Sequence, residues 1–294
     1  VYKYLKYTND NEFIKDEIYP SLVKIMDAYS DRIDVDGDNI YLDKEDNLLS
    51  AGTENTQITW MDVKIDNHAI TPRNGKTVEL NALWYNALKI MARLAEKYEN
   101  KQLCRKYLEM AEKTKKSFDE KFYNEEKHCL YDVLGDDKIR PNQLFSISLS
   151  HPVIENKDIA EEIIATVEKE LLTPYGLKTL AKGEEGYTEI YEGSPYKRDM
   201  SYHQGITWPW LLGLYYDGLK NLIIMERDRR TREELEGKLK GFVEKTRITF
   251  DAEMRQRSSI DTISEIYDSC RPYEERGAFA QAWSVAEIFR IIAQ

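Results

Sequence analysis

The strongest constraint on the fold is a regular alternation between long polar segments and helical patterns. Four predicted helices, near positions 78, 141, 206 and 279, each follow a segment rich in Trp, Arg, His, Asn, Gln and carboxylates. The helices between them, near 102, 157 and 231, are rich in Lys and Glu and follow short connections such as ENKQ. This repetition indicates helical hairpins, in which every second helix begins at the same end. The four polar segments are therefore expected to meet at one end of the molecule.

Helical periodicity is clearest after Thr77, where apolar residues such as Leu80, Trp84 and Leu88 recur at spacings of three and four. Less regular helices are predicted near 11–29, 102–120, 141–150, 157–171, 206–223, 231–249 and 279–293, and short strands near 33–42 and 130–133. No linker divides residues 1–294. The sequence predicts one all-α domain, a toroid of helix pairs with a polar pit at one end.

Charge and cysteine content limit the partners and the location. With 42 basic and 53 acidic residues, the formal net charge is −11, which argues against nucleic acid or an anionic membrane as a partner. Cys104, Cys129 and Cys270 form no CxxC pair and are expected to be free thiols of a reducing compartment. Since no apolar run approaches membrane-spanning length and no signal peptide is recognisable, a cytoplasmic location is expected.

No metal or other cofactor is expected from the sequence. Asp34, Asp36, Asp38 and Glu45 follow the spacing of a calcium loop, but Asn39 stands where that loop needs glycine. An Asp-Gly hairpin explains the segment more simply. The histidines are scattered without a zinc pattern, and no Gly-rich phosphate loop occurs.

The polar segments together resemble a known family. The stretches TWMDVK, TPRNGKTVELNALWYNAL, RPNQLFSISLSHP, YEGSPYKRDMSYHQGITWPWLLG and TISEIYD are similar to the C-terminal glucosidase domain of glycogen debranching enzymes, the amylo-α-1,6-glucosidase family. The resemblance runs from about residue 48 to the end. It implies an (α/α)6 barrel, of which residues 1–294 supply about four of six hairpins. The domain is therefore expected to lack its N-terminal hairpins, and the missing part of the same protein is expected as a partner.

The resemblance also implies a catalytic pair of carboxylates. It assigns the general acid to Asp62 in TWMD and the general base to Glu265 in SEIYD. The family inverts configuration, which implies roughly 6.5–9.5 Å between the two carboxyl groups. Asp62 is expected to be buried against Trp60. The acidic residues close enough to compete for these roles are Asp66, Asp261 and Asp268.

The same segments supply candidates for binding a sugar, whose ring stacks on aromatic faces and whose hydroxyls bind polar side chains. Trp60 and Trp208 are expected to stack on the ring. Glu79 either binds a hydroxyl or interacts with the dipole of the helix that it begins. The complete predicted sugar-binding set is Trp60, Arg73, Glu79, Arg140, Asn142, Gln143, His203, Gln204 and Trp208.

The leading functional interpretation is an inverting glycoside hydrolase that removes glucose from α-1,6 branch points of glycogen or a related α-glucan. A trehalase-like or other α-glucosidase with the same barrel is a second interpretation, because the resemblance does not fix the substrate. A third, of a different class, is a non-catalytic glucan-binding remnant. Retention of Asp62 and Glu265 together favours the hydrolase.

Overall fold

The computed structural model describes residues 1–34, 37–256 and 261–293. Its α-helices are α1 (Tyr2–Thr8), α2 (Asn11–Phe13), α3 (Tyr19–Ser30), α4 (Val78–Lys97), α5 (Lys101–Lys121), α6 (Phe145–Ser148), α7 (Lys157–Glu170), α8 (Pro195–Ser201), α9 (Leu212–Met225), α10 (Arg229–Gln256) and α11 (Ala282–Ile292). A π-helical segment, Ile14–Ile18, joins α2 to α3, and 3-10 turns at Pro141–Leu144 and Pro209–Leu211 precede α6 and α9. The helix predicted after Thr77 is confirmed as α4.

The predicted hairpin of α4 and α5 is confirmed. The buried face of α4 includes Trp84, Leu88 and Met91, in agreement with the apolar spacing of the sequence. Asn100, between the two helices, caps α5 because its side chain accepts a hydrogen bond from the backbone N–H of Leu103 at 3.0 Å. The two helices pack against each other, as a short connection between antiparallel neighbours requires.

The helix predicted over 141–150 is shorter than expected. After the 3-10 turn, α6 ends at Ser148, and Leu149 is extended. The side-chain amide of Asn221 on α9 donates to the carbonyls of Ile147 and Leu149, at 2.7 and 3.1 Å. These carbonyls thus gain a partner outside their own segment, which lets the chain leave the helix without burying unpaired backbone groups.

A five-stranded antiparallel sheet contradicts the prediction of an all-α, (α/α)6 toroid. The strands are β1 (Tyr41–Leu42), β2 (Leu49–Ser50), β3 (Lys64–Ile65), β4 (His68–Ala69), β5 (Tyr123–Asn124), β6 (Cys129–Leu130), β7 (Leu172–Thr173), β8 (Gly176–Lys178), β9 (Thr207–Trp208), β10 (Ile266–Tyr267) and β11 (Glu275–Arg276). The order in the large sheet is β11-β10-β9-β8-β7, and the other strands form two-stranded hairpins. The fold prediction was wrong because strands of two or three residues are too short to show the alternation that identifies a strand.

The register of the large sheet joins three distant parts of the chain. Leu177 pairs with Trp208, and Tyr267 pairs with Thr207 on the other side of β9. Gly176 is required at the first of these junctions, because a Cβ at this position would come closer than 3.0 Å to the backbone carbonyl of Trp208. The sheet therefore places the segments around residues 177, 207 and 266 side by side.

Asp34, the first residue of the segment with the calcium-like spacing, binds backbone groups that follow it. The carboxylate of Asp34 accepts hydrogen bonds from the backbone N–H groups of Gly37 and Asn39, both at 3.0 Å. Val35 and Asp36, which belong to the same predicted strand and loop, lie outside the described residues. Of the strands predicted from the sequence, the structure has β1 at the end of 33–42 and β6 at the start of 130–133.

The core lies mainly between α4, α5, α7 and α9, with the large sheet at its edge. One buried cluster contains Leu88, Phe118, Ile163 and Leu219 from these four helices and extends to Trp208 of β9. In the described part of the chain, no helix is both long and apolar enough to span a membrane. β9 contacts this core, and its neighbours in the sheet lead into the polar loops. The candidate site forms where these loops meet beside the sheet.

Candidate active site

A buried ion-pair network lies beneath the polar loops, centred on Arg73. Its Nε donates to Asp132 Oδ2 at 2.5 Å, and its two Nη atoms donate to the carboxylate of Glu79. All three side chains are buried. Burial by itself would lower the pKa of Arg73, but the charges of Asp132 and Glu79 outweigh it and raise this pKa. The guanidinium of Arg73 thus donates to both carboxylates, and the carboxylate of Glu79 is engaged by Arg73.

The network also holds the loop that carries Asp62. Arg73 Nη1 donates to Thr59 Oγ1 at 3.3 Å. Asn142 donates through Nδ2 to Asp132 Oδ1 at 2.8 Å and accepts a hydrogen bond from Trp60 Nε1 at 2.7 Å. Two consecutive residues of the loop are therefore tied to the buried carboxylate, directly before Met61 and Asp62.

Arg140 and Gln204 connect the loops on the other side. Arg140 Nη1 donates to the backbone carbonyls of Thr179 and His203, at 3.0 and 2.8 Å, and Nη2 donates to Gln204 Oε1 at 3.0 Å. Burial, and after it the positive charge of Arg73, lower the pKa of Arg140, while Asp132 opposes this shift. Arg140 therefore acts here as a cross-link between the segments before β9.

Gln143 is buried in a similar structural role. It donates through Nε2 to the carbonyl of Arg140 at 3.1 Å and accepts a hydrogen bond from the backbone N–H of Leu130 at 3.3 Å. Gln204 also donates, through Nε2, to Thr71 Oγ1 at 3.2 Å. The structure thus brings the predicted polar binding residues to one region, but it engages most of their hydrogen-bonding groups with protein partners.

Aromatic rings cover this network. Trp60 contacts Trp208 and Trp210 edge-on, with ring centroids 5.5 and 5.0 Å apart. Trp210 stacks on Trp283 at 5.2 Å, and Trp283 is 37% exposed. We call these four residues the tryptophan cluster. Trp84 lies elsewhere, buried in α4 against Tyr29.

His203 is buried inside the tryptophan cluster. Its ring stacks on Trp208 at 5.3 Å and meets Trp60 edge-on at the same distance. Burial, followed by the charges of Arg140 and Arg73, lowers the pKa of His203 to about 3. The imidazole is therefore neutral at physiological pH, and in the described structure neither ring nitrogen has a hydrogen-bond partner.

The neutral state of His203 predicts a pH dependence of stability. A folded-state pKa below the ordinary value of 6.5 means that protonation favours the unfolded chain. The contribution of His203 to the free energy of unfolding is therefore fully present above pH 6.5 and is lost as the pH falls towards 3. Between pH 7 and 5 we expect a loss of about 2 kcal/mol from this group. Urea unfolding of the wild type and of His203→Asn across this range measures it. Identical pH slopes in the two proteins would contradict the expectation.

Asp62 lies at the surface of the site. The residue before it, Met61, is buried, whereas Asp62 is exposed. The expected burial of Asp62 against Trp60 is therefore wrong, because the anchored side chains of Thr59 and Trp60 and the buried Met61 leave the carboxylate on the solvent side of the loop. Asp62 is open to a ligand that approaches from solvent.

Glu265 is half-buried and directly precedes β10. Its Oε2 accepts a hydrogen bond from the backbone N–H of Ala278 at 3.0 Å, and its Oε1 accepts one from Gln281 Nε2 at 3.2 Å. Its own backbone N–H donates to the carbonyl of Ala278 at 2.9 Å. Glu265 is thus fixed in orientation by groups of the segment that follows β11.

Tyr202 brings the two candidate catalytic residues into one electrostatic environment. Burial raises its pKa, and the Glu265 carboxylate raises it further. The charge of Asp62 raises the same pKa. Asp62 and Glu265, which lie far apart in the sequence, therefore both contribute to the electrostatic environment of the Tyr202 hydroxyl.

The other acidic candidates have different surroundings. Asp268 is buried, its carboxylate is bound by Arg276 at 2.8 Å, and it accepts the backbone N–H of Tyr191 at 2.8 Å. Asp66 and Asp261 are exposed residues in left-handed turn conformations. This geometry favours Glu265 over Asp268 as a group free to meet substrate. Groups of three or more His, Cys, Asp or Glu residues able to hold a metal ion are not found within residues 1–34, 37–256 and 261–293.

Sequence reasoning missed Asp132, Tyr202, Gly277 and Gln281. Asp132 was overlooked because it precedes the polar segment before α6, and a carboxylate there looks like a surface group. Tyr202 directly precedes His203, a predicted sugar-binding residue, and this position is the signal that could have identified it. Gly277 has a φ of +71°, a conformation that favours glycine, in the turn that wraps Glu265.

Three comparisons relate this chain to known proteins. The family described as amylo-alpha-1,6-glucosidase matches residues 1–290, so the match begins well before residue 48. The glycogen debranching enzyme of Saccharomyces cerevisiae is 24% identical, and the alignment covers 60% of this chain and 14% of that protein. A solved structure described as a sialidase superposes with a TM-score of 0.65 at 12% identity, over 96% of this chain and 24% of that one. The chain thus corresponds to a small part of each relative, and the last similarity concerns the fold alone.

Proposed function

The chain belongs to the amylo-alpha-1,6-glucosidase family, and we propose on this premise that it is a glycoside hydrolase that removes glucose from α-1,6 branch points of an α-glucan. One observation supports the proposal most: the family match spans residues 1–290 and so includes the segments of both Asp62 and Glu265. The yeast relative, whose name refers to glycogen debranching, supports the same substrate class.

The proposed mechanism divides the work between the two carboxylates. Glu265 accepts a proton from a water molecule while the water oxygen bonds to the anomeric carbon of glucose. The bond from that carbon to the bridging oxygen breaks, and protonated Asp62 gives its proton to this oxygen. The exposure of Asp62 suits a leaving group that is a polymer extending into solvent. The fixed orientation of Glu265 suits a base that must direct one water.

The tryptophan cluster supplies an apolar wall for the glucose ring. Trp60 is half-buried and Trp283 is partly exposed, and both meet the buried Trp208 edge-on. Apolar ring faces with a few placed polar groups are typical of small-ligand sites. Asn142 holds Trp60 through its indole N–H, so the wall and the loop of Asp62 are supported together.

The test is the release of glucose from a branched limit dextrin by the 294-residue chain. We expect Asp62→Asn to release glucose about 10²- to 10⁴-fold more slowly than the wild type, because a general acid contributes by this factor. Asp66→Asn, a nearby exposed carboxylate in a turn, is the matched control and is expected to keep the wild-type rate.

Two further results decide the proposal. Proton NMR of the first product identifies its anomer, and β-glucose is expected because the α-linkage is cleaved with inversion. Absence of glucose release by the wild type, at protein concentrations that bind the dextrin, would refute a hydrolase role for this chain. Equal rates for Asp62→Asn and the wild type would refute the assignment of the acid.

A further inference from the structure

A tight turn encloses the Glu265 carboxylate from one side. The backbone N–H of Ala278 and the side-chain amide of Gln281 donate to different oxygens of the carboxylate. Gly277 has a φ of +71°, and a Cβ there would approach Glu265 Oε2 closer than the 3.0 Å that real Cβ atoms keep. The carboxylate therefore occupies the space that any other residue at position 277 would need for its side chain.

Tyr202 lies in a different segment, and the Glu265 carboxylate raises the pKa of its hydroxyl. Its ring lies 4.9 Å from the rings of both His203 and Trp208 and 5.6 Å from that of Tyr191. Its backbone carbonyl accepts the indole N–H of Trp208 at 3.1 Å. Contacts on several sides limit the rotation of this ring, so its hydroxyl has a fixed position.

We propose that Tyr202 and Gly277 are positioning residues that seat the Glu265 carboxylate between a hydroxyl and a backbone turn, at the distance from Asp62 that hydrolysis requires. The inference rests on the proposed function and extends it to two residues beside the proposed base. Tyr202 keeps its own proton throughout, and the water proton is transferred to Glu265. The pKa of Tyr202, raised by burial and by both carboxylates, agrees with this role.

The physical argument is the sensitivity of proton transfer to geometry. A base must lie within hydrogen-bond reach of the proton that it accepts. A misplacement of about 1 Å can reduce a rate by about 10²-fold. Without the hydroxyl, the Glu265 side chain keeps only the donors of Ala278 and Gln281, which are on the side of the turn. It is then free to rotate away from Asp62.

Tyr202→Phe tests the hydroxyl while keeping the ring. We expect kcat to fall about 10-fold, as for the loss of a hydrogen bond to a charged group, with KM changed less than twofold. The acidic limb of the pH–rate profile should move to higher pH, because a donor to the charged base is lost. Tyr187→Phe is the matched control, because Tyr187 is also half-buried and its pKa is raised to about 12 by burial and then by the charge of Glu189.

Gly277→Ala tests the turn. We expect a loss of about 10²-fold in kcat, because the added methyl group displaces the carboxylate. Gly183→Ala is the matched control, since Gly183 also has a positive φ, +105°, but a Cβ there meets no atom within 4 Å. The control carries the same kind of backbone strain without touching Glu265, and it should keep the wild-type rate.

Crystal structures of Tyr202→Phe and Gly277→Ala supply a readout that does not depend on activity. We expect the Glu265 carboxylate to move by about 1 Å or more in each. An unmoved carboxylate in both variants would overturn the inference, as would unchanged kcat and pH profiles, even if the wild type is an active hydrolase. A wild type that releases no glucose would refute the proposed function. The two crystal structures would still decide whether Tyr202 and Gly277 hold the Glu265 carboxylate in place.

Discussion

Replacing Glu265 with Gln is expected to reduce kcat for glucose release by about 10²- to 10⁴-fold, with little change in KM. Gln keeps the size and the hydrogen-bonding reach of Glu but cannot accept a proton from water, and general base catalysis contributes by this factor. Initial rates on a branched limit dextrin, measured over a range of substrate concentrations, separate the two constants. The thermal unfolding midpoint of the variant shows whether the fold is kept.

The matched control is Asp261→Asn, four residues before Glu265 and exposed in a turn. It removes one negative charge from the same segment and is expected to keep the wild-type kcat. Loss of activity in Asp261→Asn, with full activity in Glu265→Gln, would reverse the assignment of the base. In Glu265→Ala, added azide is expected to restore turnover by attacking the anomeric carbon from the face opposite the leaving group, which gives β-glucosyl azide.

Replacing Arg73 with Met is expected to lower the free energy of unfolding by about 3–5 kcal/mol, the cost of removing one partner from a buried ion pair. Arg73 is the only cation in hydrogen-bond contact with Glu79 among the described residues, and both side chains are buried. Without Arg73, the carboxylates of Glu79 and Asp132 are left close together and short of hydrogen bonds. Urea unfolding at pH 7 measures the loss.

Arg229→Met provides the comparison, because Arg229 forms an ion pair with Glu233 on the exposed face of α10. Such a pair is screened by solvent, so its removal should leave the unfolding curve almost unchanged. If the two variants were equally stable, the buried network would not be the structural element that we infer. A stable Arg73→Met protein that has lost activity would instead place Arg73 in contact with substrate.

The amphipathic helices and the family could be predicted from the sequence, because both depend on short continuous stretches of it. Apolar spacing after Thr77 is set by the geometry of one helix, and α4 has the predicted start and buried face. The motifs around Asp62 and Glu265 lie in continuous stretches of the chain, and the family comparison agrees with the resemblance that they suggested. Neither inference needs knowledge of what the rest of the chain does.

The sheet was not accessible in this way. Thr207 and Trp208 become a strand only because Leu177 and Tyr267, which are distant in sequence, pair with them on either side. A strand of two residues has no periodicity of its own. The all-α expectation was therefore a consequence of judging each segment by its own pattern.

The roles of the polar residues were decided by tertiary structure for a related reason. The sequence determined that Arg73, Glu79, Asn142 and Arg140 belong to polar segments that meet, and it singled out Asp62 and Glu265 within them. Only the fold decided that buried Asp132 binds Arg73, leaving Asp62 exposed and Glu265 seated against the turn at Gly277. Periodicity reports which face of a segment is buried, whereas the partner of a charged side chain depends on which distant segment packs against that face.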